Sequence, residues 1–273
     1  MAKRKPKRKL KKSVKKFLRT IVTIILLIVI GVCGFDVGKF FYDKYNAGKA
    51  EKVIEEIVHK EDLVAAKENE KEEKPFTFTE EKWQQLREIS PEFIGYMAYD
   101  DEFISEPIVQ GADNDYFLHR YIDGTYSDAG SVFVDFQCSP GKDTNTTIYG
   151  HNVEYDKTDK FTPLLNLVEN QEEYEKHSTF KIYYKDYVAE YVITNIYRYN
   201  PETDAKFNFK ETDFEVSSLW KNYADFINER NLIANPKDTL KEGDRFITLQ
   251  TCRDTWSGEK VIFTCKETSV KDY

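Results

Sequence analysis

The feature that most constrains this chain is a run of 15 uncharged, mostly apolar residues from Ile21 to Phe35. With its apolar neighbours on both sides, the run reaches about 20 residues, the length needed to cross the hydrocarbon core of a bilayer. Residues 1–19 carry 11 Lys or Arg and no acidic residue. Because positively charged flanks stay on the cytoplasmic side, we predict a basic cytoplasmic arm (1–19), a single transmembrane anchor (20–41) and an extracellular C-terminal body.

Two other interpretations of this segment are weaker. A cleaved signal peptide needs a small-x-small cleavage site, which is absent near Phe35, and its basic region is usually shorter than this one. A lipidated Cys33 would need a small residue before it, where the chain has Val32. The uncleaved anchor in the cell membrane is therefore the preferred interpretation.

Composition excludes several functional classes for the body of the chain. Residues 20–273 carry 29 basic and 48 acidic side chains, so the positive charge is concentrated in the N-terminal arm. Phosphate contacts need clustered positive charge, and nucleic-acid binding is not expected. Four cysteines are too few for a disulfide scaffold. No two Cys or His residues have metal-ligand spacing, so we expect neither a metal nor another cofactor.

Residues 42–78 differ in composition and hydrophobic pattern from the residues that follow them. They are rich in charge and carry apolar residues at near-helical spacing, which predicts an exposed helical stalk. The remaining residues, 79–273, are predicted to form one domain. It begins with a short helix, because Thr79 and the acidic residues after it are typical of a helix N-terminus.

The domain itself is predicted to be mainly β. Short apolar or alternating runs between turn residues predict strands at 104–110, 131–136, 146–149, 180–199 (around a turn at Lys185-Asp186), 245–250 and 260–265. Helical patterns interrupt them at 161–177 and 217–229. This order is typical of a closed or nearly closed β-barrel with peripheral helices.

Candidates for nucleophilic chemistry are few, since the chain has four histidines and four cysteines. Cys252 ends a predicted strand and is followed by Arg253 and Asp254, a setting that favours a reactive thiol. A thiol nucleophile needs a proton partner, usually a histidine. His151 ends another predicted strand after Gly150, a position that suits catalysis and a structural role alike.

The other three histidines, and two of the other cysteines, lie in sequence contexts that favour non-catalytic roles. His59, His119 and His177 lie in charged segments and are expected at the surface. Cys138 and Cys265 are expected to be inert or to form a disulfide with each other.

The segments that carry His151 and Cys252 resemble those of the sortases, the membrane-anchored cysteine transpeptidases of Gram-positive bacteria. The two segments are Tyr149-Gly150-His151-Asn152 and Thr248-Leu249-Gln250-Thr251-Cys252. Three further blocks, 107–114, 116–118 and 128–135, are similar to class B sortase segments in the same order, as is the helix at 217–229. The resemblance covers about residues 80–268.

The resemblance implies an eight-stranded sortase barrel that joins surface proteins to the cell wall. Cys252 would attack the carbonyl after Thr in a sorting signal of the Asn-Pro-x-Thr type, and an amine of the peptidoglycan cross-bridge would resolve the thioester. His151 would protonate the leaving amine and accept a proton from the incoming one. Two other functions stay open: a membrane-tethered peptide-binding module without turnover, and a hydrolase that uses the same two residues on water.

One position departs from the family pattern. The third catalytic residue of the sortases is an arginine at the start of the final strand, where this chain has Lys260. A lysine keeps the charge but lacks the planar fork that can hold two oxygens at once. Lys260 is the preferred candidate for this role and Arg253 the second, while a solvated lysine at a strand edge is the alternative.

The resemblance also suggests residues that line the substrate groove, namely Leu118, Tyr149, Gln250 and Thr251. Gln250 stands where class B sequences often have serine, which puts the preferred sorting motif in question. Asp254 matches an acidic position of class B members and would orient His151 or a substrate group; it fits a simple turn aspartate equally well.

Overall fold

The computed structural model describes residues 12–59, 76–153, 159–253 and 257–273. The chain divides into two compact units, residues 1–46 and 47–273. The apolar run lies in the helix α1 (Lys12–Val58). Its most apolar 18-residue window has a mean hydropathy of 2.6 and is not buried, so by length and composition this helix could cross a membrane.

The end of α1 belongs to the second unit. There Ile54 and Val58, four residues apart on one helix face, are buried against Phe78 and Trp83. The expectation of an exposed stalk is therefore wrong for residues 47–58, because their apolar face is covered by the body of the unit. Residues 60–75 of the expected stalk lie outside the described residues.

The short helix expected after Thr79 is confirmed as α2 (Glu80–Ile89). The Thr79 hydroxyl accepts a hydrogen bond from the backbone N–H of Lys82, which satisfies one of the free donors at the helix start. Trp83 and Leu86 are buried on one side of the helix.

Eight strands form a closed barrel, which confirms the predicted architecture. They are β1 (Phe93–Ala98), β2 (Ser105–Val109), β3 (Val132–Val134), β4 (Asn145–Tyr149), β5 (Thr179–Tyr183), β6 (Tyr187–Tyr199), β7 (Phe246–Cys252) and β8 (Lys260–Asp272). Their order around the barrel is β1-β2-β3-β4-β7-β8-β6-β5, and β5 pairs again with β1. Closure satisfies the backbone groups that an open sheet leaves at its edges.

The pairing of β4 with β7 decides where the candidate catalytic residues meet. The two strands are parallel, with Tyr149 opposite Gln250, so their carboxyl ends lie side by side. The antiparallel pair of β7 and β8 places Cys252 directly opposite Lys260. The end of β4, the end of β7 and the start of β8 therefore meet at one end of the barrel.

Alternation along the strands separates two cores. The inward residues of β7 and β8, such as Leu249 and Phe263, fill the barrel interior. The outward residues Phe246 and Ile262 pack under the helix α4 (Ser217–Glu229) through Trp220. That helix occupies the residues expected from the sequence.

The other predicted helical segment, 161–177, is broken in two. A 3₁₀ helix spans Thr162–Leu167 and the α-helix α3 spans Gln171–His177. Glu169 has a φ of 58°, a left-handed conformation that a continuous helix does not allow. Asn170 then caps α3 by accepting a hydrogen bond from the N–H of Glu173.

The sequence did not predict one buried strand, β1, and the exposed end of another strand, β8. The strand β1 was not assigned from the sequence, because five of its six residues are buried and its pattern does not alternate. The strand β8 continues seven residues beyond Cys265, where exposed polar residues pair with the long strand β6.

Candidate active site

A cavity of about 230 Å³ lies where β4, β7 and β8 meet. Nine residues line it: Asn114, Leu118, Phe133, Tyr149, Gly150, His151, Gln250, Cys252 and Lys260. Six of the nine site residues expected from the sequence are in this set. The cavity is thus the place where the candidate nucleophile, the candidate proton carrier and a cation come together.

Cys252 and Lys260 form the central contact of this cavity. They are the last residue of β7 and the first of β8, and their direct pairing across the ladder puts both side chains on one face. The ammonium nitrogen Nζ of Lys260 lies 3.1 Å from the sulfur Sγ of Cys252 and donates to it. An ammonium group at this place can stabilise negative charge that develops during acyl transfer.

The other two cysteines of the barrel have the opposite environment. Cys138 and Cys265 are free and buried, so they are not joined in a disulfide. Burial raises the pKa of the Cys138 thiol to about 11 and that of Cys265 well above its ordinary value. Both thiols are therefore protonated at neutral pH and poor nucleophiles, which agrees with the expected inert role.

The His151 ring is oriented by a backbone carbonyl. Its nitrogen Nε2 lies 2.9 Å from the carbonyl oxygen of Leu118. Because a carbonyl only accepts, Nε2 carries the proton, and in the neutral ring Nδ1 holds the lone pair. Burial lowers the pKa of His151, and the charges of His119 and Lys260 lower it further, while the Leu118 carbonyl opposes them. The neutral imidazole, which can accept a proton, is thus favoured.

Glycine is required before this histidine by a close approach. The ring of Phe161 packs on Gly150, where any Cβ would overlap with it. The N–H of Phe161 also donates to the carbonyl of His151 at 3.2 Å, and the N–H of Gly150 donates to the carbonyl of Gln250 at 3.1 Å. The backbone at His151 is therefore fixed to β7 on one side and to Phe161 on the other.

Arg253, the second candidate for the family arginine, points to another partner. Its guanidinium pairs with the carboxylate of Glu259, and its side chain is 45% exposed. It does not line the cavity. The geometry therefore favours Lys260 over Arg253 as the cation of the site.

Two of the expected groove residues are not found in the cavity. Thr251 is fully buried, because successive strand residues point to opposite faces and its neighbours Gln250 and Cys252 face the cavity. Its expected role in the groove is wrong. Asp254 lies outside the described residues.

A buried carboxylate organises one wall of the cavity. Asp135 accepts a hydrogen bond from the Tyr149 hydroxyl at 2.6 Å and another from the Asn114 amide at 3.1 Å. Burial acts to raise the pKa of Asp135, but these hydrogen bonds and the Lys210 charge hold it below its ordinary value. Asp135 thus stays ionised and fixes Tyr149, whose own pKa is raised by burial and by this bond.

Sequence reasoning missed Asn114 and Phe133 as cavity residues. Phe133 lies between Val132 and Val134, which point into the barrel. Strand alternation alone would have placed Phe133 on the outer face, toward the groove. Asn114 lies outside the strands, and its signal in the sequence is its place at the end of the block 107–114, which resembles the class B sortases.

The other three histidines differ in how deeply they are buried. His119 is exposed, as expected. His177 is buried, with its ring stacked on Phe103 at 3.9 Å and its Nε2 2.9 Å from Asp101. Its expected surface position is wrong, because α3 turns this residue against the barrel. His59 is half-buried and lies 3.2 Å from Glu102.

Comparison with known proteins agrees with this fold. Residues 103–268, more than half of the chain, match the model of the sortase domain family. Sortase B of Listeria monocytogenes is 28% identical over 243 residues, which cover 86% of this chain and 92% of that protein. Sortase B of Staphylococcus aureus is 27% identical over 177 residues, or 64% of this chain and 69% of that protein.

The solved structures of similar fold include a Staphylococcus aureus sortase B–substrate complex. It has a TM-score of 0.65 and 22% identity, and the match covers 84% of this chain and 99% of that one. The family match and the two sortase B relatives support an enzyme of the sortase class. The chain belongs to the sortase family, and its relatives place it in class B.

Proposed function

We propose that this protein is a membrane-anchored transpeptidase that joins surface proteins to the peptidoglycan. The observation that carries the proposal is the 3.1 Å contact between Lys260 Nζ and Cys252 Sγ, in a cavity that His151 also lines. A candidate nucleophile, a candidate proton carrier and a cation thus line one cavity, which supports acyl transfer at this place.

The first half-reaction would make a thioester. The neutral His151 takes the thiol proton of Cys252, and the sulfur attacks the carbonyl carbon after Thr in the sorting signal. The carbonyl electron pair moves to the oxygen, where the Lys260 ammonium stabilises the negative charge. The intermediate then breaks its C–N bond, and His151 returns the proton to the leaving amine.

The second half-reaction would transfer the acyl group to a peptidoglycan amine. The amine nitrogen attacks the thioester carbon and gives its proton to His151. A new C–N bond forms as the C–S bond breaks, and the departing Cys252 sulfur lies next to the Lys260 ammonium. The proton on His151 then restores the thiol, so the site returns to its starting state.

The sorting signal is proposed to be of the Asn-Pro-x-Thr type. The Staphylococcus aureus relative was solved as a complex with its substrate, which supports peptide binding on this fold. In this chain the groove is bounded by Leu118, Tyr149 and Gln250. The Gln250 amide offers one acceptor and two donors to the peptide near the nucleophile.

The apolar part of α1 is proposed to anchor the enzyme, with the basic arm in the cytoplasm. Positively charged flanks favour this orientation. The catalytic unit would then lie outside the cell, on the side of the membrane where both surface proteins and peptidoglycan are found.

The proposal is tested with the full chain in detergent micelles and peptides of the Asn-Pro-x-Thr type, with intact mass as the readout. We expect a peptide adduct that is absent in Cys252→Ala and released as a ligation product by an added amine. Lys260→Ala and Arg253→Ala, measured side by side, decide which cation the reaction uses.

Other outcomes contradict the proposal. An adduct that water resolves even at high amine concentration would identify a hydrolase. The absence of any adduct, although the Cys252 thiol alkylates normally, would favour a peptide-binding module without turnover.

A further inference from the structure

We propose that Lys160 is a positioning residue for His151: its buried ion cluster fixes the turn that holds the histidine backbone. The inference rests on the proposed role of His151 as the proton carrier. Lys160 does not line the cavity, and the sequence drew no attention to it.

Lys160 is among the most deeply buried charged residues of the described chain. Its side chain is 1% exposed, and its ammonium lies 2.7 Å from Asp159, 3.3 Å from Glu106 and 3.6 Å from Glu51. It also lies 5.1 Å from the centre of the Tyr121 ring. A buried ammonium is tolerated only with such partners, since desolvation of an unpaired charge is very costly.

The carboxylates around Lys160 come from different parts of the unit. Glu106 belongs to β2 in the barrel wall, and Glu51 belongs to the end of α1. Asp159 is the neighbour of Lys160 in the chain. The ammonium therefore ties the turn that carries it to the barrel and to a helix at the same time.

The backbone of Lys160 connects this cluster to the histidine. Asn152 and Lys160 form an isolated antiparallel bridge, directly after His151 on one side and directly before Phe161 on the other. The Phe161 N–H donates to the His151 carbonyl, and the Phe161 ring packs on Gly150. One peptide bond thus separates the anchored lysine from the residue that holds His151.

The conformation of Lys160 also shows that its position is imposed by its surroundings. Its φ is 51°, in the left-handed region that non-glycine residues rarely adopt. Such a conformation persists where the surrounding structure determines it. The backbone N–H and the ammonium of Lys160 both lie 3.3 Å from the Glu106 carboxylate, so the ion cluster contacts the backbone of this residue as well as its side chain.

The charge balance keeps this anchor in place. Burial acts to lower the pKa of Lys160, but Glu106, Asp159 and Glu51 raise it, so the lysine stays charged. Burial is also the main cause that raises the pKa of Glu106. Replacing the lysine by a neutral side chain would leave these carboxylates facing each other without a cation and would free the turn next to His151.

The test compares Lys160→Met, Glu51→Gln and the matched control Lys176→Met, all as full chains in detergent micelles. Methionine keeps most of the length of lysine and removes the charge. Lys176 also contacts two carboxylates, Glu172 and Glu173, but on an exposed helix face. Two readouts are used: kcat and KM for a peptide of the Asn-Pro-x-Thr type per alkylation-titrated Cys252, and the ring signals of His151 in NMR spectra with histidine labelling.

We expect Lys160→Met to lower kcat by about 10- to 100-fold, the effect of a misplaced catalytic group, with KM within about 3-fold of the parent. The His151 signals should shift or split. Glu51→Gln removes the most distant of the three carboxylate contacts and should shift the same signals less, and Lys176→Met should change neither readout. Because the chain has four histidines, His151→Gln identifies the signals.

The inference is overturned if folded Lys160→Met keeps the parent kcat per titrated thiol and leaves the His151 signals unmoved. If Lys160→Met does not fold, Glu51→Gln decides through the same NMR signals, and unmoved signals overturn the inference. If the parent itself turns over no peptide, the proposed function fails, while the NMR readout still tests the link between Lys160 and His151.

Discussion

Two lysines of this protein lie close to its candidate catalytic residues, and their environments are opposite. Lys260 is half-buried, lines the cavity and contacts the sulfur of Cys252. Lys160 is almost fully buried and shares its charge among three carboxylates. The positive charge of Lys260 is thus directed at the reacting groups, and that of Lys160 is directed at the protein itself. A lysine can therefore act in the candidate site or stabilise the fold, and the groups that surround its ammonium determine which.

The largest effect is expected from Lys160→Met on the stability of the second unit. Removing one partner of a buried ion cluster leaves the others uncompensated, which typically costs about 3 to 5 kcal/mol. Urea unfolding followed by tryptophan fluorescence measures this, since Trp83 and Trp220 lie in that unit. The control Lys176→Met should stay within about 0.5 kcal/mol of the parent, as exposed ion pairs contribute little. Equal stabilities of Lys160→Met and Lys176→Met would show that the buried ion cluster of Lys160 contributes no more to stability than an exposed ion pair.

The reverse pattern is expected for Lys260→Met. Loss of a group that stabilises an oxyanion lowers the rate of thioester formation by about 100- to 1,000-fold. Its free energy of unfolding should change by less than about 1 kcal/mol, because the side chain is half-buried and pairs with no buried carboxylate among the described residues. Rapid-quench mass spectrometry of the peptide adduct measures the rate. A variant that loses stability but acylates normally would assign Lys260 a structural role.

Gly150→Ala tests the contact that joins the two lysine sites. A methyl group at this position overlaps with the Phe161 ring, so the variant should lose about 1 to 3 kcal/mol of stability, as overpacked cores do. It should also lower kcat, because Phe161 holds the His151 carbonyl. The double variant Gly150→Ala, Phe161→Leu should recover part of the stability. No recovery would mean that the glycine is needed for another reason.

The sequence predicted these two regions unequally. Cys252, His151 and Lys260 were found because each lies at a predicted strand end and in a segment that resembles the family. Lys160 was not found, since a lysine in a charged segment gives no local sign that it will be buried. Its partners Glu51 and Glu106 lie far from it in the chain, and only the closed barrel and the packed end of α1 bring them together.

The same reasoning explains the errors in the fold. The helix α4 was predicted with its bounds, because its apolar residues follow the helical period. Thr251 was placed in the groove although strand alternation turns it inward, and β1 escaped detection because burial on both faces removes the alternation. The local period of hydrophobic residues can be seen in the sequence, whereas the burial of a residue depends on which distant parts of the chain pack against it.

The pH dependence of stability should reveal the buried carboxylates around Lys160. Burial raises the pKa of Glu106 and so opens a pH window above 4.5 in which this carboxyl keeps its proton only in the folded state. The folded protein therefore holds a proton that the unfolded chain has already lost, and stability falls as the pH rises through this window. As the pH rises above 5, the parent should therefore lose stability relative to Glu106→Gln, which does not titrate. A constant difference between the two unfolding curves would show that Glu106 is ionised throughout.

The smallest effect is expected from Lys260→Arg, which introduces the residue that the resemblance to the sortases implies at this position. The variant keeps the positive charge and adds a planar fork that can hold two oxygens at once. However, the contact seen among the described residues runs from Nζ to the sulfur of Cys252, and Lys260 lines a cavity of only about 230 Å³. We therefore expect the rate of thioester formation to stay within about 10-fold of the parent, whereas Lys260→Met falls well below it. Parallel acylation time courses of the three proteins measure this. If Lys260→Arg forms the thioester as slowly as Lys260→Met, the site depends on the shape of the lysine side chain as well as on its charge. Lys260 would then resemble Lys160 in requiring a closely packed position.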